Sequence, residues 1–162
     1  MERQALALLL SVVAAATLAG NASARRTRWP ALSTAGPFLL TDIRDKVDGR
    51  YGLAWESLFP MHQKIAPRST YVRCEEQTPV QLPLRSVHVV HVHRASVRVP
   101  GLAQPLAGVA VTVAVTFQWY GPRDPIYLKH TFHLVPVHGR WTWLLSRERY
   151  HLYRDDGCAP AA

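Results

Sequence analysis

The sequence lacks the short motifs that mark several large classes of enzyme. It contains no GxSxG, Walker-type or GxGxxG sequence, which are the usual signals of serine hydrolases, P-loop proteins and dinucleotide-binding folds. Its two cysteines, Cys74 and Cys158, are far apart and form no CxxC pair, so neither a zinc site nor a thioredoxin-like site is indicated. Nucleotide chemistry, acyl transfer and cysteine-based metal binding are therefore unsupported by the sequence.

Acidic residues are also few. The 162 residues include 11 Asp and Glu against 19 Lys and Arg, for a net charge of +8. A basic surface favours anionic partners such as nucleic acid, acidic polysaccharide or lipid headgroups, although a composition rich in Arg and Ala is also what a GC-rich genome produces. The basic residues mostly stand singly and no aromatic-plus-basic motif accompanies them, so we expect no specific nucleic-acid binding.

One long apolar run is present, near residue 1. Residues 1–4 are weakly positive, residues 5–20 are apolar and uncharged, and residues 21–24 offer the small side chains that a signal peptidase requires. This pattern is typical of a secretory signal peptide; the alternative, an uncleaved membrane anchor, usually needs about 20 apolar residues. The sequence predicts a signal peptide over residues 1–24, an exported protein (secreted, periplasmic or in the cell envelope), and no transmembrane segment after cleavage.

The prediction of export bears on the oxidation state of the two cysteines. Disulfides persist in oxidising compartments outside the cytoplasm, and an even pair of cysteines in an exported chain is more often a bridge than two free thiols. We therefore expect a disulfide between Cys74 and Cys158.

Hydrophobic spacing divides the rest of the chain into helices followed by strands. Three segments are expected after the signal, namely a basic lead-in, one α+β domain and a short tail, over residues 25–35, 36–158 and 159–162. Within the domain, apolar residues at helical spacing predict helices over residues 36–47 and 51–59, and a short third helix after Ser69.

From residue 87 the apolar period changes from helical to two, which predicts β-strands. Strands are expected over residues 87–99, 109–120, 126–137 and 140 to about 150, joined by short turns. Short connections predict an antiparallel sheet with one buried and one wetter face. The fold class is therefore α+β, with the N-terminal helices packed on the apolar face of a sheet of about four long strands.

This order of elements, together with two short segments, resembles the nuclear transport factor two-like (SnoaL-like) superfamily. The segments are residues 55–60, which close the second helix, and residues 139–143, where a glycine turn is followed by two tryptophans. Residues 55–74 also resemble exported bacterial members without an assigned activity. The resemblance covers residues 36–154. It implies a curved sheet wrapped round the helices as a cone, a cystatin-like roll, with a pocket at its open end.

Members of the superfamily include isomerases, dehydratases, epoxide hydrolases, polyketide cyclases and non-catalytic binding modules, so the fold alone assigns no function. The catalytic members use carboxylates that project into the pocket, and the sequence departs from that pattern. The first three predicted strands contain no Asp or Glu. Helical carboxylates such as Asp42 and Asp45 are expected on solvated faces, and Glu148, between Arg147 and Arg149 in the fourth strand, is expected in a salt pair. We therefore expect no buried carboxylate base.

Histidines are the better candidates for a pocket group. With continuous alternation, His91 and His93 share the apolar face of the first strand, and His130 lies on the apolar face of the third. Tyr51 and Trp55 of the second helix complete the pocket candidates. Converging imidazoles could bind a metal, act as a base or orient a ligand, but half-buried structural histidines are the alternative, and a β-bulge would change their face.

No metal-ligand spacing such as HExxH is present, so we expect no metal and no cofactor, and we assign no catalytic residue. The favoured function is a non-catalytic exported domain that binds a small apolar ligand or a partner protein in the pocket. The alternative is a lyase- or isomerase-like enzyme with a histidine base, and a third hypothesis is an electrostatic anchor on an anionic envelope surface. A homodimer is also left open by the sequence.

Overall fold

The structure is a computed structural model that describes residues 29–80, 82–119, 124–155 and 157–158. The predicted signal peptide, residues 25–28 of the basic lead-in and the predicted tail lie outside the described residues. Within them, five α-helices pack with one four-stranded antiparallel sheet, which is curved and does not close on itself. The predicted α+β class is therefore confirmed.

Prolines mark two of the boundaries between the helices that precede the sheet. The helices are α1 (Ala35–Val47), α2 (Tyr51–Glu56), α3 (Pro60–Ile65), α4 (Arg68–Gln77) and, after the sheet, α5 (Arg147–Arg154). Pro60 opens α3 and Pro67 directly precedes α4; proline suits these positions because the first helical N–H groups have no acceptor within the helix. The helix expected over residues 51–59 therefore ends at Glu56, and a separate helix, α3, begins at Pro60.

The sheet has the order β1-β2-β3-β4. Its strands are β1 (Leu84–Val97), β2 (Leu106–Phe117), β3 (Ile126–Val137) and β4 (Arg140–Trp143). The bounds of β3 are those predicted from the alternation of its side chains. His138 and Gly139 connect β3 to β4 with φ angles of 49° and 78°, the left-handed backbone that a two-residue hairpin turn requires.

One face of β2 forms the centre of the core. Val109, Val111 and Val113 have no exposed surface and pack with Leu39 of α1 and Tyr71 of α4. These valines alternate with residues of the opposite face, as the sequence predicts. We call the side of the sheet that carries them the helix-facing side, and the opposite side the outer face.

A β-bulge in β1 overturns the predicted side of two histidines. Val89 pairs with Val113, but His91 pairs with Thr112, because the register shifts between Val89 and His91. Residues directly opposite each other on paired strands share a face. His91 therefore lies on the outer face with Thr112. The expectation that His91 and His93 point to the apolar, helix-facing side is wrong, since one extra residue reverses the alternation.

The predicted fourth strand is also too long. β4 ends at Trp143, and α5 begins after Ser146, whose side chain accepts a hydrogen bond from the Arg149 N–H at 3.2 Å. Glu148 therefore lies in the first turn of a helix, not in a strand, and forms no ion pair with its neighbours among the described residues. A hydrogen bond from its own backbone N–H, and another with Ser146, lower the pKa of Glu148.

The predicted disulfide is present. Cys74 of α4 is bonded to Cys158, with Cα atoms 5.0 Å apart and 84 positions between them in the chain. The bond ties the segment after α5 to α4, so α5 is held against the helices that precede the sheet. No helix within the described residues is long and apolar enough to cross a membrane.

Candidate functional site

A cavity of about 880 Å³ lies between the helices and the part of β3 that β4 does not cover. β4 pairs only with residues 134–137 of β3, so the preceding residues of that strand have no fourth strand beside them. Residues 130–133 line the cavity there. Its other walls come from α1, α4, α5 and the loop that follows β1. The cavity thus collects residues from widely separated parts of the chain.

A buried carboxylate stands in the cavity wall. Asp42 of α1 is only 4% exposed and lines the cavity. Its Oδ2 accepts a hydrogen bond from Lys46 Nζ at 2.7 Å, whereas its Oδ1 is buried and has no hydrogen-bond partner among the described residues. Burial raises the pKa of Asp42, and Lys46 only partly opposes that effect. The unpaired oxygen has almost no exposed surface of its own, so the carboxyl favours its protonated form more than a solvated carboxyl does.

This burial corrects a prediction, because Asp42 and Asp45 were both expected on solvated faces. Asp45 is also buried, but it accepts a hydrogen bond from Arg50 Nε at 2.8 Å, in the turn between α1 and α2. The two carboxylates lie one turn apart on the same helix. Asp45 holds the turn, whereas Asp42 leaves one oxygen free.

Lys46 connects the carboxylate to an aromatic wall. Its Nζ lies 3.3 Å from the centroid of the Trp143 ring, a cation–π contact. The Trp143 indole N–H donates to the Ala54 carbonyl at 2.7 Å, which fixes the ring. Tyr71 packs against the same ring, with the centroids 6.0 Å apart. Lys46 and Trp143 therefore support one side of the cavity as a rigid unit.

Two tyrosines complete this wall. Tyr51 of α2 and Tyr71 of α4 are buried and line the cavity. Burial raises the pKa of Tyr51, with a smaller contribution from the charge of Glu75. Burial raises the pKa of Tyr71 far above its ordinary value in the same way. Both phenols therefore keep their protons at neutral pH and are able to donate hydrogen bonds to a ligand.

Three arginines give the cavity a positive side. Arg98, at the end of β1, and Arg147 of α5 line it and are exposed, and neither forms an ion pair within the described residues. Arg149 of α5 is paired with Glu75 of α4, and Glu75 also accepts a hydrogen bond from the Tyr153 hydroxyl at 2.8 Å. Arg98 and Arg147 are thus the cations that remain available to a ligand.

His62 positions two segments of the cavity wall. It is fully buried; its Nδ1 accepts from the Leu145 N–H at 3.1 Å and its Nε2 lies 3.0 Å from the Pro100 carbonyl oxygen. The first contact requires an unprotonated Nδ1, so Nε2 carries the proton and donates. Burial lowers the pKa of His62, which keeps the ring neutral. Pro100 and Leu145 both line the cavity, so His62 is a positioning residue.

The predicted pocket candidates separate into three groups. Tyr51 and His130 line the cavity, and the His130 ring contacts Phe132 with the centroids 4.6 Å apart. Trp55 packs beside the core and donates from its indole N–H to the Ala66 carbonyl at 2.7 Å, and it is not among the described cavity residues. His91 and His93 lie on the outer face. The three histidines therefore do not converge.

The residues that sequence reasoning missed are Asp42, Lys46 and the cations of α5. Asp42 and Lys46 stand four positions apart, which is the spacing of a helical ion pair, but that spacing gives no sign that the pair is buried. The start of α5 does carry a signal, a capping Ser146 with an acidic residue in the first turn.

No three or more His, Cys, Asp or Glu side chains in the described part of the chain are already arranged to hold a metal ion. The cavity is built instead from one free carboxylate oxygen, two phenols, aromatic rings and two unpaired arginines. Such an arrangement is suited to holding an organic molecule and to exchanging a proton with it.

The fold and cavity define an α+β protein with a curved antiparallel sheet and a polar pocket between the sheet and its helices. A comparison with protein-family models and another with curated proteins found no match for the chain.

Proposed function

We propose that this chain binds a small organic anion with an aromatic or apolar body in the cavity between the helices and β3. The observation that carries the proposal is a pair of arginines, Arg98 and Arg147, that have no ion-pair partner in the described part of the chain and lie beside a wall of tyrosine and tryptophan. Arginine suits carboxylate, sulfonate and phosphate groups because its planar guanidinium donates two parallel hydrogen bonds. The aromatic wall suits the remainder of the ligand.

The charged walls modify the expectation of a wholly apolar ligand. Four Lys and Arg residues face two carboxylates in the cavity, namely Lys46, Arg98, Arg147 and Arg149 against Asp42 and Glu75. Two of the cations are neutralised by those carboxylates, which leaves an excess of positive charge. A purely apolar ligand would leave that excess uncompensated, whereas an anion balances it.

Two dyes of nearly the same shape test this proposal. Anilinonaphthalene sulfonate carries one negative charge, and phenylnaphthylamine is its neutral counterpart. We expect the mature protein to bind the sulfonate more tightly. The double variant Arg98→Gln/Arg147→Gln should lose most of that preference and keep its affinity for the neutral dye. Arg73→Gln/Arg140→Gln, with two exposed arginines that do not line the cavity, is the matched control.

Equal affinity for the two dyes, or a sulfonate preference that survives in the Arg98→Gln/Arg147→Gln variant, would contradict the proposal. Native mass spectrometry of protein purified from its source provides the direct measurement, because a retained ligand appears as added mass. We expect that mass to belong to an anion.

A second candidate function, a proton-transfer enzyme of the lyase or isomerase type, is favoured by one observation. Asp42, in the cavity wall, has a buried unpaired oxygen and a raised pKa, and a base of raised pKa removes a proton from carbon once the side chain turns its oxygen to the substrate. Asp42 replaces the histidines as the candidate base, although His130 also lines the cavity.

Ring opening of nitrobenzisoxazole tests this candidate, since any positioned base that removes the proton on its isoxazole ring carbon accelerates the reaction. We expect wild-type protein to accelerate it, with a rate that rises as the pH increases through the raised pKa of Asp42. Asp42→Asn should abolish the acceleration and Asp45→Asn should keep it. An unchanged rate in Asp42→Asn would exclude Asp42 as the base.

Export is the third part of the proposal. A disulfide between Cys74 and Cys158 is compatible with an oxidising compartment, and residues 1–24 have the pattern of a cleaved signal. N-terminal sequencing of protein from the secreted or periplasmic fraction should begin within a residue or two of Arg25. A chain in that fraction that still begins at Met1 would contradict cleavage. The resemblance to the nuclear transport factor two-like superfamily remains a proposal, supported by the order of helices and strands.

A further inference from the structure

The outer face of the sheet carries a concentration of imidazoles, of which only His133 borders the cavity. Four of the eight histidines belong to it, His88, His91 and His93 of β1 and His133 of β3. The β1 histidines pair with Ala114, Thr112 and Ala110 of β2, residues that alternate with the buried valines. All four histidines are exposed, so their rings are accessible from solvent.

His91 and His93 are already close together. The centroids of their rings lie 4.9 Å apart and the ring planes differ by 31°. They stand two positions apart on one strand, which places both side chains on the same face. Neither ring makes a hydrogen bond within the described residues. Two adjacent imidazoles with free nitrogen atoms form a chelating pair for a transition-metal ion.

His133 is the third imidazole within reach of this pair. Ala110 of β2 pairs with His93 on one side and with His133 on the other. Because alanine contributes only a methyl group, no large side chain separates the two rings across β2. An exposed histidine is able to rotate about its side-chain bonds, so His133 can turn towards the pair.

The electrostatics of the outer face suit neutral imidazole ligands. No Asp or Glu lies in the four described strands, so no carboxylate of the sheet competes for an ion there. The other titratable groups that the strand pairing places on this face of the described strands are His88, Tyr127, Lys129 and Arg140. Ligand sets of imidazole without carboxylate suit Zn²⁺, Cu²⁺ and Ni²⁺ and do not suit Mg²⁺ or Ca²⁺.

We propose that His91 and His93, joined by His133, form an outer-face site for a divalent transition-metal ion, with water completing its coordination. The His91–His93 pair anchors the ion, and His133 is recruited when the ion binds. The site is centred on His91 and His93, which do not line the cavity, and it does not depend on the proposed function; of the three proposed ligands only His133 borders the cavity.

Calorimetric titration of the full mature chain, produced without a histidine tag and with its disulfide intact, tests the site. The probes are Zn²⁺ and Ni²⁺ at pH 7.5, with Mg²⁺ as the control ion. We expect saturable binding of one Zn²⁺ or Ni²⁺ ion and none of Mg²⁺. His93→Gln should weaken binding by at least about tenfold, because even the loss of an outer-shell partner costs that much.

The remaining variants assign the three ligands. His91→Gln should match His93→Gln, and His133→Gln should weaken binding by a smaller factor. His138→Asn and His151→Gln remove exposed histidines elsewhere and should leave the affinity unchanged. Because all these positions are exposed, unchanged circular dichroism should confirm that each variant folds. Absence of saturable Zn²⁺ or Ni²⁺ binding, or affinity that survives in the His91→Gln/His93→Gln variant, overturns the proposal.

Discussion

The two faces of the sheet are formed by the same strands and differ in what fixes their residues. On the helix-facing side, Val109, Val111 and Val113 are fully buried beneath the helices, so packing alone explains them. On the outer face, Thr112 and the exposed histidines of β1 are in contact with water. Hydrophobic burial does not require imidazoles at such positions. The comparison shows where a functional explanation is needed, namely on the outer face and in the cavity.

Replacing a neutral side chain by a charged one on each face should give the largest difference in the free energy of unfolding. Val113→Asp would bury an unpaired carboxylate, at a cost of several kcal/mol, enough to unfold a domain of typical stability. Thr112→Asp leaves its carboxylate in water and should cost about 1 kcal/mol or less. Urea unfolding followed by circular dichroism measures both. If Thr112→Asp proves the more damaging, the assignment of the two faces of β2 is wrong.

Breaking the disulfide should have the next largest effect on the free energy of unfolding. Of the two faces of the sheet, it should change only the helix-facing side. Cys74→Ser/Cys158→Ser opens a loop of 84 positions, for which the loss of stability is about 4–5 kcal/mol. α5 carries Arg147, so affinity for anilinonaphthalene sulfonate should also fall as the helix loosens. Wild-type protein reduced with dithiothreitol should behave like the variant. Zn²⁺ binding that falls in parallel with the loss of dye affinity would show that the two sides are coupled.

The two buried aspartates of α1 should respond in opposite directions. Asp42→Asn removes a carboxylate whose pKa is raised by burial. The variant should therefore be more stable by about 1 kcal/mol at neutral pH, since residues kept for function often cost stability. Asp45→Asn weakens the hydrogen bond with Arg50 and should destabilise the protein. Because the pKa of Asp42 is raised on folding, the stability that its protonated carboxyl contributes is fully present below pH 3.8. That contribution is lost as the pH rises through the folded-state pKa.

Urea unfolding at a series of pH values checks the sign of this effect. The advantage of Asp42→Asn should be largest at neutral pH and should shrink as the pH falls towards 3.8, where the wild-type carboxyl is protonated. A pH-independent advantage would mean that the charge of Asp42 is not its cause.

The smallest effect is expected from a hydrogen bond on the outer face. The Thr112 and Thr131 hydroxyls lie 2.8 Å apart in an exposed pair, and water competes for such a bond. Thr131→Val should therefore change the free energy of unfolding by less than about 1 kcal/mol. A double-mutant cycle with Thr112→Val measures the pair itself. A coupling as large as the loss in Val113→Asp would remove the difference between the two faces.

Much of the fold could be predicted from local periodicity. The alternation from residue 126 to residue 137 gave the bounds of β3, and the valines of β2 identified the helix-facing side. Helix α5 was missed, and its start was assigned to the fourth strand, because residues 140–150 contain apolar residues compatible with a strand. The capping of α5 by Ser146 was the stronger signal there, since a side chain that satisfies a helical N–H starts a helix.

The candidate site could be predicted only in part, because its residues meet through tertiary packing. Asp42 and Arg147 line one cavity although about a hundred positions separate them in the chain, and no pattern in either segment refers to the other. The burial of Asp42 depends on what covers α1, which helical spacing does not reveal. Only Tyr51 and His130, which lie on apolar faces of their own elements, were identified as pocket candidates in advance.

The extra residue at the bulge of β1 decides which side of the sheet each later side chain of that strand faces. If Val90 paired with Thr112 as a regular strand residue, every later residue of the strand would change sides. His91 and His93 would turn towards the helices, and Val92, which now packs with the core, would turn outward. Deleting Val90 would instead remove the bulge and leave Val89 opposite Val113 and His91 opposite Thr112. A single-codon deletion would therefore straighten the strand and keep His91 and His93 on the outer face.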